Sequence, residues 1–237
     1  MIRLHYRCFD LLMTAFVTVL IISNIASSAK IVDLGFSLFG IRLAFDGGTL
    51  LFPFSYILGD ILTEVYGFKA SRRAIWSGFI GMALVSGVFL LLRLLPSDPS
   101  WESYAGSGAY DAILGGINSG GLVIASLAAY FVGEFSNSAI LSRMKLAMQG
   151  KHLWVRTIGS TLVGELLDSF VFIAIATAAG VFSQDMFVSL VFTNYLFKCS
   201  LEALMTPLTA LTIVQLKKVE AIDTYDKGVS LNPFKAS

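Results

Sequence analysis

The sequence predicts an all-α, polytopic integral membrane protein whose 237 residues form a single transmembrane domain. Hydrophobic residues make up 56% of the chain and charged residues 14%, whereas soluble domains carry about 25% charged residues. The mean hydropathy is +0.76. Several apolar runs reach the roughly 20 residues that cross a bilayer. Six spans are expected, at about residues 9–29, 49–66, 74–95, 119–141, 153–180 and 186–216.

The first span is followed by a segment that alternates loosely between apolar and polar residues. This segment covers residues 31–45, with Gly35 and Gly40 as breaks. Such alternation predicts a short β-hairpin outside the membrane, on the extracytoplasmic side, and an irregular loop is the alternative. Asp46, Gly47 and Gly48 then turn the chain toward the second span.

The second span carries two acidic residues near its far end. Asp60 and Glu64 are four residues apart, so they share one face of a helix. Pro53 lies near the start of the span and Gly67 ends it. Charge at membrane depth is costly and marks a candidate functional site by default.

The third and fourth spans differ in polarity. The third has no charged residue before Arg93 and is interpreted as scaffold, and residues 96–118 are read as a loop. In the fourth span, small residues at four-residue steps would let another helix approach closely. Glu134 and Asn137 follow this small-residue face, which consists of Gly121, Ala125, Ala129 and Gly133.

The last two spans carry the remaining intramembrane polar groups. Glu165 and Asp168 lie near the middle of the fifth span. In the sixth, Asn194, Lys198 and Glu202 are spaced four apart and form one stripe. The polar tail that begins at residue 217 is expected to be poorly ordered.

The distribution of basic residues predicts the topology. Of the 17 Lys and Arg residues, thirteen fall on the side that holds both termini and three on the other, and Lys198 lies within a span. Cytoplasmic loops carry an excess of Lys and Arg, so both termini are expected in the cytoplasm.

Three spans share a glycine followed by an acid, at Gly59, Gly133 and Gly164. A dry interior cannot hold six ionised acids beside one lysine, so a polar cavity between helices is expected. The alternative is that these groups only join helices, through hydrogen bonds worth about 0.6 kcal/mol on average. The candidate substrate-binding residues are Asp60, Glu64, Glu134, Asn137, Glu165, Asp168, Asn194, Lys198, Glu202, Phe54 and Tyr56.

The known catalytic and cofactor motifs are missing from the sequence. It has no HExxH, GxSxG or phosphate-cradling loop, and the two cysteines have no zinc-ligand spacing. The chain is therefore not expected to be an enzyme, to carry a cofactor or metal, or to bind nucleic acid. Two alternatives stay open: a membrane enzyme using paired acids, and a substrate-capturing subunit that docks on an ATP-driven module through Ser23 and Ser27.

Two blocks of the sequence carry a family resemblance. FPFSYILGDILTEVYG, at residues 52–67 and followed by Lys69, Arg72 and Arg73, resembles the signature of the queuosine precursor transporter family, formerly called vitamin uptake transporters. GELLDSFVFIAIA, at residues 164–176, resembles a second family block, and Asn24 with Lys30 at the outer end of the first span also fits.

The resemblance covers nearly the whole chain. It implies import of 7-cyano-7-deazaguanine or 7-aminomethyl-7-deazaguanine across a bacterial inner membrane, for salvage into modified tRNA. The residues leave open whether a proton or a sodium ion is coupled to transport, and whether the protein is an oligomer.

Overall fold

The computed structural model describes residues 6–38, 41–118, 120–180 and 183–235, and is predominantly helical. Five helices in this part are long and apolar enough to cross a membrane, so the protein is a multi-pass membrane protein: α1, α3, α6, α7 and α8. The helices of the described residues are α1 Phe9–Ala29, α2 Phe52–Tyr66, α3 Phe68–Leu94, α4 Pro99–Tyr104, α5 Gly106–Asn118, α6 Gly120–Ala147, α7 Leu153–Ala178 and α8 Phe187–Glu220.

Helix α2 is short and central. Its 15 residues fall below the roughly 20 that cross a bilayer. It contacts α1, α3, α6 and α8, and nearly all of its residues are buried. Pro53 lies in its first turn, where the missing N–H costs no helical hydrogen bond. Gly67 has a φ of +85°, which ends α2 and lets α3 begin at the next residue.

A two-stranded hairpin follows α1. Strands β1, Ile31–Leu38, and β2, Ile41–Asp46, pair antiparallel. Ile31 lies opposite Asp46, and the register shifts between Asp33 and Ser37.

The expectation of a loop at residues 96–118 was wrong, because most of this region forms the helices α4 and α5. Asp98 caps α4 by accepting hydrogen bonds from the backbone N–H groups of Ser100 and Trp101, at 2.9 and 3.2 Å. Gly106, with a φ of +74°, separates α4 from α5. Helix α5 packs against α1 and α3. The Gly and Ser residues suggested a loop, but packing against these neighbours outweighs their low helix propensity.

The C-terminal tail, residues 221–235, is ordered, which corrects the expectation of a poorly ordered tail. One Asp226 carboxylate oxygen, Oδ2, accepts hydrogen bonds from the backbone N–H of Phe68 at 2.9 Å and the hydroxyl of Ser142 at 2.7 Å. The backbone N–H of Thr224 donates to the carbonyl of Val65 at 3.3 Å. The tail therefore ties the junction of α2 and α3 to α6.

The end of the tail packs along α3 and α6. Arg72 Nη1 donates to the carbonyl of Asn232 and Trp76 Nε1 to that of Pro233, both at 3.0 Å. The ring of Phe234 stacks on Phe131, with centroids 5.5 Å apart. A cavity of about 260 Å³ lies beside the tail, lined by Ser142, Arg143, Leu146, Asp226, Gly228, Val229 and Leu231.

Helices α6 and α7 form the most extensive helix–helix contact among the described elements. At their crossing, a Cβ on Gly133 would lie 3.2 Å from the carbonyl oxygen of Gly164 and 2.8 Å from Cβ of Asp168. A Cβ on Gly164 would in turn lie 2.8 Å from Cβ of Asn137. The two glycines therefore permit a backbone approach that brings acidic residues of both helices together.

Candidate functional site

Four helices bring most of the predicted site residues together between them. All five acids and the amide of this group are buried, with exposures of 7% or less. Helix α2 contributes Tyr56 and Asp60, α6 contributes Glu134 and Asn137, α7 contributes Glu165 and Asp168, and α8 contributes Lys198 and Glu202. We call these eight residues the polar cluster.

A hydrogen bond joins α2 to α6 within the polar cluster. Asn137 Nδ2 donates to Asp60 Oδ1 at 2.8 Å. The other oxygen of each side chain, Asp60 Oδ2 and Asn137 Oδ1, is buried without a hydrogen-bond partner. Because buried acceptors are normally paired, these two atoms are suited to receive donors from a ligand.

Glu134 and Glu202 add two further acceptors. Glu134 Oε1 and Glu202 Oε2 are also buried without a hydrogen-bond partner. The carboxyl of Asp60 lies near enough to both for their charges to interact. Among the described residues, no basic side chain comes within 4.0 Å of any of these three acids. These three acids therefore form no direct ion pair within the described part of the chain, although Lys198 is near enough to Glu134 for their charges to interact.

Lys198 lies between the two remaining acids of the cluster, Glu165 and Asp168. Its ammonium donates to Asp168 Oδ2 and lies 3.3 Å from Glu165 Oε2. It also lies 4.8 Å from the centre of the Phe52 ring, within cation–π range. An ion pair along α8 with Glu202, which the four-residue spacing allowed, does not form, because Lys198 points to α7 instead.

Glu64 lies in a different environment, which corrects the expectation that Lys198 is the one base among six acids. Glu64 Oε1 accepts from Arg156 Nη2 and from Lys217 Nζ, each at 2.7 Å, and lies 3.4 Å from Lys145 Nζ. Lys145 lies beyond the predicted end of the fourth span, and Arg156 lies near the predicted start of the fifth. They lie on α6 and α7, with exposures of 3% and 0%. Helix α6 extends six residues beyond the predicted end of the fourth span and carries Lys145 inward, whereas Arg156 lies in the first turn of α7.

The ion pairs around Glu64 reach the tail. Lys145 Nζ donates to Asp223 Oδ1 at 2.6 Å, and Lys217 Nζ lies 2.8 Å from the same oxygen. Partial burial would raise the pKa of Asp223, but the hydrogen bonds from the two lysines outweigh it and hold that pKa below its usual value. We call Glu64, Lys145, Arg156, Lys217 and Asp223 the ionic network.

The remaining predicted residues differ in position. Tyr56 is buried, and its hydroxyl lies 3.1 Å from where a Cβ on Gly133 would stand. Phe54 is 44% exposed, unlike the buried acids of the cluster. Asn194 is half-buried one turn before Lys198 and makes no side-chain hydrogen bond within the described part of the chain. None of the residues that line the cavity beside the tail belongs to the polar cluster, in which the Lys198 side chain is 16% exposed.

Two hydroxyl residues of α7 were missed by the sequence reasoning. Thr161 and Ser169 are 2% exposed and lie four residues before and after Glu165. That spacing places all three on one helix face, so the sequence did contain the signal.

Ser23, read as a possible docking residue, is fully buried and donates to the carbonyl of Gly48 at 3.1 Å.

Apolar helices around a buried polar cluster are typical of membrane transport proteins, whose sites lie within the bundle. The profile of the family described as putative vitamin uptake transporter matches residues 46–212, which is more than two thirds of the chain. The chain belongs to this family. No solved structure matches the chain.

Three curated relatives are similar over most of the chain. A probable queuosine precursor transporter of Haemophilus influenzae is 30% identical over 153 residues, 64% of this chain and 60% of the relative. A probable queuosine precursor transporter of Bacillus subtilis is 26% identical over 161 residues, 68% of each chain. The queuosine precursor transporter of Escherichia coli is 26% identical over 176 residues, 73% of this chain and 74% of the relative.

Proposed function

We propose that this protein imports queuosine precursors, 7-cyano-7-deazaguanine or 7-aminomethyl-7-deazaguanine, across the bacterial inner membrane for tRNA modification. Membership of a transporter family and the names of the three relatives support transport without a catalytic step. The substrate class is inferred from the names of these similar proteins.

The observation that carries the proposal is the polar cluster. Asp60, Glu134 and Glu202 are buried carboxylic acids without a basic partner among the described residues, and they lie inside the family-matched region. A 7-deazaguanine ring offers a ring N–H beside an exocyclic amine, which a carboxylate accepts through charge-assisted hydrogen bonds. Its carbonyl and ring nitrogen need donors, which Lys198 can supply. An aminomethyl cation would add a positive charge beside these three acids, which form no direct ion pair among the described residues.

The proposed topology has six spans, a hairpin on the extracytoplasmic side and both termini in the cytoplasm. Helix α2, preceded by the turn Gly47–Leu50, serves as the second of these spans and brings the five long helices to six. It is enclosed by other helices, and backbone surrounded by protein does not need to match the thickness of the bilayer. The excess of Lys and Arg on the side of the termini supports the orientation. A reporter fused after the last residue that is active only in the periplasm would contradict it.

The test of function is uptake in bacteria that cannot synthesise queuosine precursors. Cells that express the chain should accumulate labelled 7-cyano-7-deazaguanine and restore queuosine in tRNA, and cells with an empty vector should not. The Asp168→Asn variant removes the negative charge that faces Lys198 and should lower uptake strongly. Asp10→Asn makes the same chemical change at an exposed site and is the matched control. Equal uptake with and without the chain would contradict the proposal.

Two related questions concern energy and partners. A substrate-capturing subunit of an ATP-driven importer would need a docking face, and the burial of Ser23 removes that residue from such a face.

A coupled proton or sodium ion is compatible with the surplus of acids, and transport with imposed gradients distinguishes the two. The lipid bilayer is the other partner that the apolar helices require.

A further inference from the structure

The buried acids divide into two groups by charge balance. Glu165 and Asp168 face Lys198, and Glu64 faces three basic residues. Both groups contain carboxylate oxygens without a hydrogen-bond partner, Glu64 Oε2 and Glu165 Oε2 in the first and Asp60 Oδ2, Glu134 Oε1 and Glu202 Oε2 in the second. Only the second group has no basic side chain within 4.0 Å among the described residues, and beside it Asn137 Oδ1 is also unpaired. The two groups therefore differ in the ligand chemistry that they can bind.

The orientation of Asn137 follows from its partner. Its amide nitrogen donates to Asp60 Oδ1 at 2.8 Å. With its NH₂ group toward Asp60, Asn137 turns its carbonyl oxygen away from that carboxyl, and this oxygen has no hydrogen-bond partner. Asn137 thereby adds a second acceptor next to Asp60, and the hydrogen bond between the two side chains fixes the position of both.

We propose that Asp60 and Asn137 determine substrate specificity by accepting hydrogen bonds from a donor-only edge of the ligand, the ring N–H and exocyclic amine of a 7-deazaguanine. This inference rests on the proposed function, and it adds which residues bind the edge of the ligand that carries the ring N–H and the amine. A 7-deazahypoxanthine ring lacks the amine and leaves one acceptor unpaired. A 7-deazaadenine ring turns a ring-nitrogen acceptor toward the carboxylate, which is repulsive. Lys198, Glu165 and Asp168 do not contact this edge.

The size of the discrimination follows from hydrogen-bond energetics. A hydrogen bond to a charged group that is lost in a buried site lowers affinity by about 10- to 100-fold. Sites built to bond a particular N–H reject analogues that lack it, because the site's own polar group stays unpaired. We therefore expect the analogue without the amine to bind at least about tenfold more weakly.

The test compares binding of 7-cyano-7-deazaguanine and its analogue without the exocyclic amine to the full chain purified in detergent, by calorimetry. The unsubstituted protein should prefer the first ligand by at least about tenfold. Asp60→Asn should lose most of that preference, because its affinity for the first ligand falls and that for the analogue changes little. Asp168→Asn should lower the affinity for both ligands by the same factor and leave the ratio of the two affinities unchanged. Asp10→Asn should behave as the unsubstituted protein.

The possible results separate this inference from the proposed function. If the unsubstituted protein binds neither ligand, the proposed function is contradicted. If it binds both equally, or if Asp60→Asn keeps the full preference, only the assignment of Asp60 and Asn137 is overturned. The affinity ratio of the two ligands is first measured on the unsubstituted protein, so this part of the test holds even if a variant fails to fold. Asn137→Ala provides a second variant, which should also lose the preference.

Discussion

Arg156 Nη2 donates to Glu64 Oε1 across 2.7 Å, and neither side chain has any exposed surface. The pair joins α7 to α2 one helical turn from Asp60. Glu64 Oε1 also accepts from Lys217 of α8. The Glu64 carboxylate thus links α2 to α7 and α8. Its partners are basic side chains of the protein, which gives it a structural role.

Replacing Glu64 with Gln should destabilise the protein. The change keeps the size of the side chain but leaves the guanidinium of Arg156 buried without a negative partner. Breaking a buried ion pair by removing one member costs about 3–5 kcal/mol. We expect a clear drop in the midpoint of thermal unfolding in detergent, together with lower uptake that follows from the loss of folded protein.

A double-mutant cycle is the control for this prediction. Arg156→Gln should also destabilise, and the double variant Glu64→Gln/Arg156→Gln should lose less than the sum of the two. Additive losses would show that the two side chains do not stabilise the fold as a pair.

Adding a methyl group at Gly133 should disturb the crossing of α6 and α7. The new Cβ would lie 2.8 Å from Cβ of Asp168 and 3.2 Å from the Gly164 carbonyl, and the latter is backbone that cannot turn aside. Overpacking of this kind costs about 1–3 kcal/mol. Gly133→Ala should therefore lower the unfolding midpoint. Gly87→Ala in α3, where nothing lies within 4 Å of the new Cβ, is the control and should not. Equal behaviour of both variants would contradict the packing argument.

Asp226 should anchor the tail. Its carboxylate accepts the N–H of Phe68 in the first turn of α3, which is the role of a helix cap supplied from a distant part of the chain. Loss of a cap typically costs about 0.5–2 kcal/mol. Asp226→Ala should lower the unfolding midpoint and expose residues 227–235 to protease in membrane vesicles. Ser142→Ala removes one of the same contacts and should have a smaller effect. A tail that stays fully protected in Asp226→Ala would show that other contacts hold it.

Asp223 should contribute stability that depends on pH. Its pKa in the folded protein is below the usual 3.8, so it stabilises the fold above that pH and the contribution disappears as the pH falls through the lower value. The difference in unfolding midpoint between the unsubstituted protein and Asp223→Asn should be constant from about pH 7 to pH 5 and shrink below about pH 4. The side chain is 44% exposed, so the effect should be under about 1 kcal/mol. A difference that grows on acidification would contradict this.

Hydropathy and helical spacing predicted the membrane class and the approximate bounds of five long helices. They also indicated the acids that the structure brings into the polar cluster, because acids within apolar runs are visible without a structure. The spacing of Gly133 and of Gly164 ahead of acids indicated close helix approach, and the crossing of α6 and α7 has this form.

The partners of Glu64 could not be predicted in the same way. Arg156 is 92 positions from Glu64 and Lys217 is 153 positions from it, and only the tertiary fold brings them together. The order of the tail was missed for the same reason. Its polar composition indicates disorder, but Asp226 and Pro233 are held by long-range contacts that no local pattern reveals.

The most direct test of the central claim is transport by the purified chain alone in liposomes. Vesicles preloaded with unlabelled 7-cyano-7-deazaguanine should take up the labelled compound by exchange, and mass spectrometry should recover it unchanged. Asp60→Asn should reduce this exchange, and Asp10→Asn should not. Exchange that requires an added ATP-driven module, or recovery of an altered compound, would contradict the account, as would vesicles with the chain that exchange no faster than empty ones.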